Sequence, residues 1–261
     1  MLYTDRYGLR YELLPGENAR VYFEHSGNYE VAETRFCEQL LRGGDVVIDG
    51  GANIGLYSML FGRLVGESGR VIAFEPDPVN ARRLRSNLEL NELSFVKVEE
   101  CALWSEPGHV TLNRFDPAFG AWHSLGTPAL EHPFRRGEIA RPVDHVDVQA
   151  TTLDAYCDAA QIGHIRLLKL DLEGAEPDAL AGAVELLDRK AIDTILFEVS
   201  LPQLSALRHG FDDAIRMLRE HDYRSYEITD TGSLGRAAEG PVSRYANYVA
   251  LPNDSPLAPS R

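Results

Sequence analysis

The segment VVIDGGANIGLYS (residues 46–58) constrains the fold most. An apolar run ends at Asp49, glycines follow at 50, 51 and 55, and helical spacing of apolar residues begins near Ile54. Glycine there lets the backbone turn tightly and lets a ligand approach with no Cβ in the way. Such turns also close ordinary βα units, so one alone says little. The next apolar run, RVIAFE (70–75), ends in Glu75, about 20 residues after the turn, where one carboxylate can accept two hydrogen bonds from a ribose diol. Together they imply a nucleoside ligand. The spacing is not GxGxxG, and no GKS or GKT follows to serve ATP.

The rest of the chain repeats this alternation. A helix is predicted over 29–41, ending at Gly43-Gly44, and further helices over 54–64, 78–90, 177–187 and 212–220. Strands are predicted at 46–49, 70–75, 95–101, 166–171 and 194–199. Continuous apolar strands, each followed by an amphipathic helix, indicate a doubly wound α/β fold with a mainly parallel sheet covered on both faces. YRSYEIT and YANYVAL near the end suit an antiparallel pair at one sheet edge. Residues 1–28 read as accessory strands around Gly8 and Pro15-Gly16, and 29–251 as one domain. From about 110 to 148 the periodicity fails, so a loop or hairpin insertion is expected, and 252–261 should be a disordered tail.

Charge narrows the partners. With 26 Lys plus Arg against 40 Asp plus Glu, the net charge of -14 repels a polyanion and argues against nucleic acid. Cys37, Cys101 and Cys157 form no CxxC pair and read as buried small residues. The first residues lack a signal-like apolar core and no run approaches a membrane span, so a cytoplasmic protein is expected.

LLKLDLEGAE (167–176) carries the candidate chemistry. Lys169 and Asp171 share one face of an otherwise apolar strand, and Glu173 and Glu176 follow. A charge in such a strand is costly unless it is paired or functional. A buried Lys169–Asp171 pair, with Glu173 and Glu176 as helix N-terminal charges, is the structural alternative to a catalytic set. Within the insertion His123 is the best-placed histidine for a general base, ahead of His25, His132 and His145. Phe119 and Trp122 could wall a sugar ring or polyketide.

GDVVIDGGANIGLYS, VIAFEPDPVNARRLRSNLELN, CALWSEPG, TTLDAY, and LLKLDLEGAE with ILFEVS together resemble the FkbM family of S-adenosylmethionine-dependent methyltransferases, over residues 28–200. The resemblance implies a Rossmann-like class I methyltransferase fold with a seven-stranded sheet. It implies S-adenosyl-L-methionine held around Asp49, Gly51, Asn53, Gly55, Glu75, Cys101, Ala102 and Asp171. Asp171 or Glu173 would orient or deprotonate an acceptor hydroxyl, on a small molecule or carbohydrate, and Lys169 would stabilise the resulting oxyanion or fix the carboxylate. A divalent cation such as Mg2+ on Asp171 and Glu198 is an alternative means of lowering the hydroxyl's pKa. A homodimer is compatible with such a domain. Two other functions share the glycine turn and the strand-end acid: an NAD-type oxidoreductase and a non-catalytic nucleoside-binding module. Against the commonest short-chain oxidoreductase, no lysine lies four residues after Tyr156.

Overall fold

A computed structural model describes residues 1–15, 17, 19–115, 130–131, 139–140, 142–199, 210, 212–238 and 246–259. The chain opens with a hairpin of β1 (Leu2–Thr4) and β2 (Arg10–Glu12), then α1 (Ala19–Ser26) and α2 (Val31–Leu40). The βα units are β3 (Val46–Gly50), α3 (Leu56–Val65), β4 (Arg70–Phe74), α4 (Pro78–Leu90) and β5 (Lys97–Glu99). A side branch holds β6 (Ala102–Leu103), β7 (Gly108–Arg114), β8 (Leu130–Glu131), β9 (Ile139–Ala140) and β10 (Asp144–Thr151). Then come α5 (Leu153–Ala159), β11 (Leu167–Leu170), α6 (Glu176–Ala181), α7 (Val184–Asp188) and β12 (Ile195–Val199). The last elements are α8 (Asp213–Glu220), β13 (Tyr223–Ile228), β14 (Leu234–Ala237) and β15 (Ala246–Pro252).

The central sheet runs β14-β13-β15-β12-β11-β3-β4-β5. The stretch from β5 to β12 is parallel, and β15 enters antiparallel beside β12. Apart from β14, this is the strand order of the class I methyltransferase fold, doubly wound with its topological switch point between β3 and β11. Alternate residues feed two cores. Val47, Leu167, Leu196 and Val249 pack on one face, and Ile48, Leu168, Ile195 and Phe197 on the other. Burial on both faces explains the unbroken apolar runs.

Several expectations change in detail. Among the described residues the sheet has eight strands instead of seven, because β14 pairs antiparallel with β13 outside the expected pair. The N-terminal segment adds helix α1 to its hairpin, pinned by buried Ala19 and Phe23. The helix predicted over 177–187 is broken into α6 and α7 at Gly182. A Cβ there would lie 2.1 Å from the carbonyl oxygen of Trp104, so backbone packing sets the break. Asp154 then caps α7 by accepting from the amides of Glu185 and Leu186. The hairpin form of the insertion is realised at its base: β7 and β10 pair antiparallel from Gly108↔Ala150 to Arg114↔Asp144, with β6 parallel to β10. Of the tail expected to be disordered, residues to 259 are described, and Ala258 packs against the first core. Among the described residues no helix is long and apolar enough to cross a membrane.

Candidate functional site

The turn after β3 is built against the end of β11. Gly51 has φ +77°, and a Cβ on it would lie 1.9 Å from the carbonyl oxygen of Asp171. Gly55 has φ +92°, and its Cβ would lie 2.2 Å from Cδ1 of Leu84 in α4. Gly51 therefore requires glycine for packing against backbone as well as for its backbone angle, and Gly55 for its backbone angle. Asn53 between them is also left-handed, at φ +50°. The amides of Gly51 and Ala52 donate to the carbonyl of Phe74, stitching this turn to the end of β4.

Glu75 completes the turn. Its carboxylate accepts from the Asn53 amide at 2.7 Å and from the Asp77 amide at 2.9 Å. Burial pushes the Glu75 carboxyl up to about 7, against the downward pull of those amides. Asp49, fully buried at the end of β3, accepts from the Ser58 hydroxyl at 2.6 Å through Oδ2, while Oδ1 has no hydrogen-bond partner among the described residues. Burial raises the Asp49 carboxyl, while Lys169 and Ser58 oppose it. An unsatisfied buried carboxylate oxygen costs stability unless a ligand supplies a donor. A nucleoside with an amino-acid tail offers an ammonium donor and carries no phosphate that these two acids would repel. The residues therefore fit S-adenosylmethionine.

Lys169 and Asp171 form the buried pair that the strand pattern allows, Nζ to Oδ2 at 3.0 Å. Their exposures differ: the lysine side chain is 6% exposed and the aspartate 27%, so Asp171 is the more accessible member. Burial pulls the Lys169 ammonium down, but Asp171, Asp49 and Glu30 outweigh it and leave the net shift upward. The ammonium also lies 4.4 Å from the ring centre of Tyr57. Carboxylate oxygens of Asp171, Glu173 and Glu198 fall within 4.8 Å of one another. Burial, then Asp171 and Glu176, push the Glu173 carboxyl well upward. Glu176 has the structural role: it accepts from the amides of Leu172 (2.7 Å) and Gly174 (3.1 Å) at the start of α6.

At the third strand end, the Glu75 amide donates to the carbonyl of Glu99, which sets the end of β5 beside Glu75. Cys101 is half-buried there, its thiol raised to about 11 by burial and Glu99, so it is no reactive thiolate. The Ala102 methyl is committed to a small core with Leu112, Val148 and Ala150. His25 and His145 are exposed, while Phe119, Trp122, His123 and His132 lie outside the described residues.

The sequence gives no local sign of the carboxylate contributed by the N-terminal segment. Glu30, left-handed at φ +37° just before α2, accepts from the Tyr57 hydroxyl at 2.5 Å. Burial, then Asp171 and Glu33, raise it to about 7. Tyr22, Tyr29 and Tyr57 form an edge-on ladder with centroid spacings of 4.9 and 6.0 Å. Among the described residues, the other left-handed non-glycine positions follow helix ends, namely Glu92, Gln161, Lys190 and Asp222. Glu30, Asn53 and Glu173 do not follow helix ends, and strained backbone gathers at functional sites.

The profile of the FkbM methyltransferase domain matches residues 49–225. The chain belongs to that family. Membership decides for a methyltransferase over an oxidoreductase or a non-catalytic nucleoside-binding module. A relative from Streptomyces tacrolimicus, 31-O-demethyl-FK506 methyltransferase FkbM, is 30% identical over 204 residues, covering 70% of this chain and 74% of its own. The 2-O-methyltransferase NoeI of Sinorhizobium fredii (strain NBRC 101917 / NGR234) is 29% identical, covering 60% and 67%. Methyltransferase 1 of Beauveria bassiana (strain ARSEF 2860) is 28% identical over 52% of this chain, and the match spans 57% of that relative's length.

Proposed function

We propose that this FkbM methyltransferase transfers a methyl group from S-adenosyl-L-methionine to a hydroxyl of a small-molecule or carbohydrate acceptor. The observation that carries this reading is the carboxylate group Asp171, Glu173 and Glu198, set beyond the switch point next to the Gly51 turn. The names of two relatives, a 2-O-methyltransferase and a methyltransferase of a 31-O-demethyl compound, support oxygen as the acceptor atom.

When bound, the donor supplies a methyl group already activated by its sulfonium. The protein has therefore to bind, align and accept a proton. Glu75 would take the ribose diol, Asp49 Oδ1 would take an amino-group donor directly or through water, and the Gly51–Gly55 backbone would lie under the amino-acid tail. Lys169 holds Oδ2 of Asp171, which would leave Oδ1 to accept the acceptor's hydroxyl proton. Glu173 stands beside it to orient the acceptor. The reading is tested with matched polyols, amines and carboxylic acids: a methyl ether should be the product, and transfer confined to amines would overturn it.

A pH dependence follows from Glu75. Its folded-state carboxyl is raised to about 7, and only the ionised form accepts two ribose hydrogen bonds. Affinity for S-adenosylhomocysteine should rise with pH through that value and level off above it, with a total fall of about tenfold on the acid side, the worth of a hydrogen bond to a charged group. Calorimetric titration from pH 5.5 to 8.5 reads this directly, and Glu75→Gln should flatten that component. A wild-type profile with no acid limb would remove the ribose role.

The second reading adds a divalent cation such as Mg2+. Asp171, Glu173 and Glu198 are hard oxygen donors at suitable spacing, and an ion there would lower the acceptor hydroxyl's pKa. Lys169 already neutralises Asp171, which weakens the case for a second cation. Turnover after exhaustive chelation should therefore stay within about twofold of the untreated enzyme. Complete loss, restored by Mg2+, would favour the cation.

A further inference from the structure

Strand β7 lies outside the βα units that carry the cleft, yet its last residue reaches the ribose-type acid through one intermediary. Arg114 donates to the Asp77 carboxylate twice, from Nε to Oδ2 at 2.6 Å and from an Nη to Oδ1 at 3.1 Å. Asp77 is 1% exposed. Burying a carboxylate costs several kcal/mol unless a partner in good geometry compensates, and a forked guanidinium is suited to that. The same Asp77 caps α4 by accepting from the Val79 amide at 2.6 Å, and its own amide donates to Oε1 of Glu75 at 2.9 Å. Asn53 fixes the other Glu75 oxygen. The Glu75 carboxylate is thus held between the glycine turn and residue 77, and residue 77 is in turn clamped by Arg114.

We infer that Arg114 is a positioning residue for donor recognition: through Asp77 it holds the Glu75 carboxylate at the angle that reads the ribose hydroxyls. This rests on the assignment of Glu75 to the ribose. The arrangement has a chemical logic. Asp77 and Glu75 are two buried acids side by side, and each raises the cost of the other's charge. Arg114 neutralises the acid that meets no ligand and leaves the second free to accept from hydroxyls. Asp77 is then fixed by both its carboxylate and its amide, so residue 77 cannot drift without moving Glu75. Arg114 also faces Asp144 across the ladder, Nη to Oδ2 at 3.6 Å, which anchors the guanidinium where β7 and β10 separate.

A merely structural ion pair would weaken every ligand alike, whereas a positioning role alters discrimination at the ribose. The experiment therefore measures dissociation constants of S-adenosylhomocysteine and its 2′-deoxyribose analogue on the whole chain, as wild type, Glu75→Gln, Arg114→Met and Arg114→Lys, each with a thermal melt. Wild type should favour the ribose ligand by about tenfold or more, the worth of a hydrogen bond to a charged group. Glu75→Gln should bring the ratio close to one. Arg114→Met should lower it at least threefold towards the Glu75→Gln value, and Arg114→Lys, which keeps the charge but not the fork, should fall between. Arg114→Lys alone decides the matter if Arg114→Met does not fold, since any drop in its ratio supports the role. If Glu75→Gln loses discrimination while every folded Arg114 variant keeps the wild-type ratio, the positioning role is overturned and the ribose assignment stands. If Glu75→Gln itself keeps the wild-type ratio, the ribose assignment fails and the role of Arg114 fails with it.

Discussion

Asp171→Asn should lower kcat about 100-fold or more while leaving affinity for S-adenosylhomocysteine within a few-fold of wild type. The amide preserves the shape beside the Gly51 turn, whose contact is with the Asp171 main-chain carbonyl and is unaffected by the side chain. What is lost is the oxygen that takes the acceptor's proton, and removal of general-base or electrostatic assistance carries a penalty of that order. The competing outcome is destabilisation, because Lys169 is buried and loses its charged partner at 3.0 Å. Breaking a fully buried pair typically costs about 3–5 kcal/mol. Here the loss should be nearer ~1–2 kcal/mol, since Asp171 is partly exposed and Asp49, Glu30 and the Tyr57 ring still face the ammonium. A melt, a titration and a turnover assay on one variant separate the two effects. Wild-type turnover in a stable Asp171→Asn protein would place the chemistry at another strand end.

Gly51→Val is expected to abolish measurable donor binding. From the sequence, a branched side chain at this turn is expected to occupy the space of the donor's amino-acid tail and to oppose the turn's backbone angles. The fold adds a further reason, since the new Cβ meets the Asp171 carbonyl at 1.9 Å. The clash pushes the β3 turn away from the end of β11, and φ +77° adds strain for a β-branched residue. Each effect is worth about 1–3 kcal/mol, so the melting temperature should fall by roughly 10 °C. The damage should spread to the Lys169–Asp171 pair, making turnover with saturating donor as poor as binding. A variant that melts like wild type and binds S-adenosylhomocysteine normally would contradict this packing.

Signals held within a short stretch were legible. Residues 78–90 match α4 end to end because Asp77 caps it, Pro78 opens it and apolar spacing runs to Leu90. The glycine turn and Glu75 were legible for the same reason, each sitting directly at the end of an unbroken apolar strand. Features made by distant packing were not. The break at Gly182 depends on Trp104, β14 depends on pairing with β13, and the Glu30 carboxylate reaches Tyr57 only after α2 docks on α3. Residue-type reasoning also could not separate Glu173, which joins the carboxylate group, from Glu176, which holds two amides of its own turn. The packing of the Ala102 methyl with Leu112, Val148 and Ala150 was likewise not legible, because it depends on β6 pairing with the distant β10.

The most direct measurement is a crystal structure of the whole chain with S-adenosylhomocysteine. The ribose hydroxyls should sit on the Glu75 carboxylate and the amino-acid tail over the Gly51–Gly55 backbone. The sulfur should point at the opening bordered by Asp171, Glu173 and Glu198. A ligand bound with its ribose away from Glu75, or with its sulfur facing a surface that lacks those three carboxylates, would contradict the proposed site.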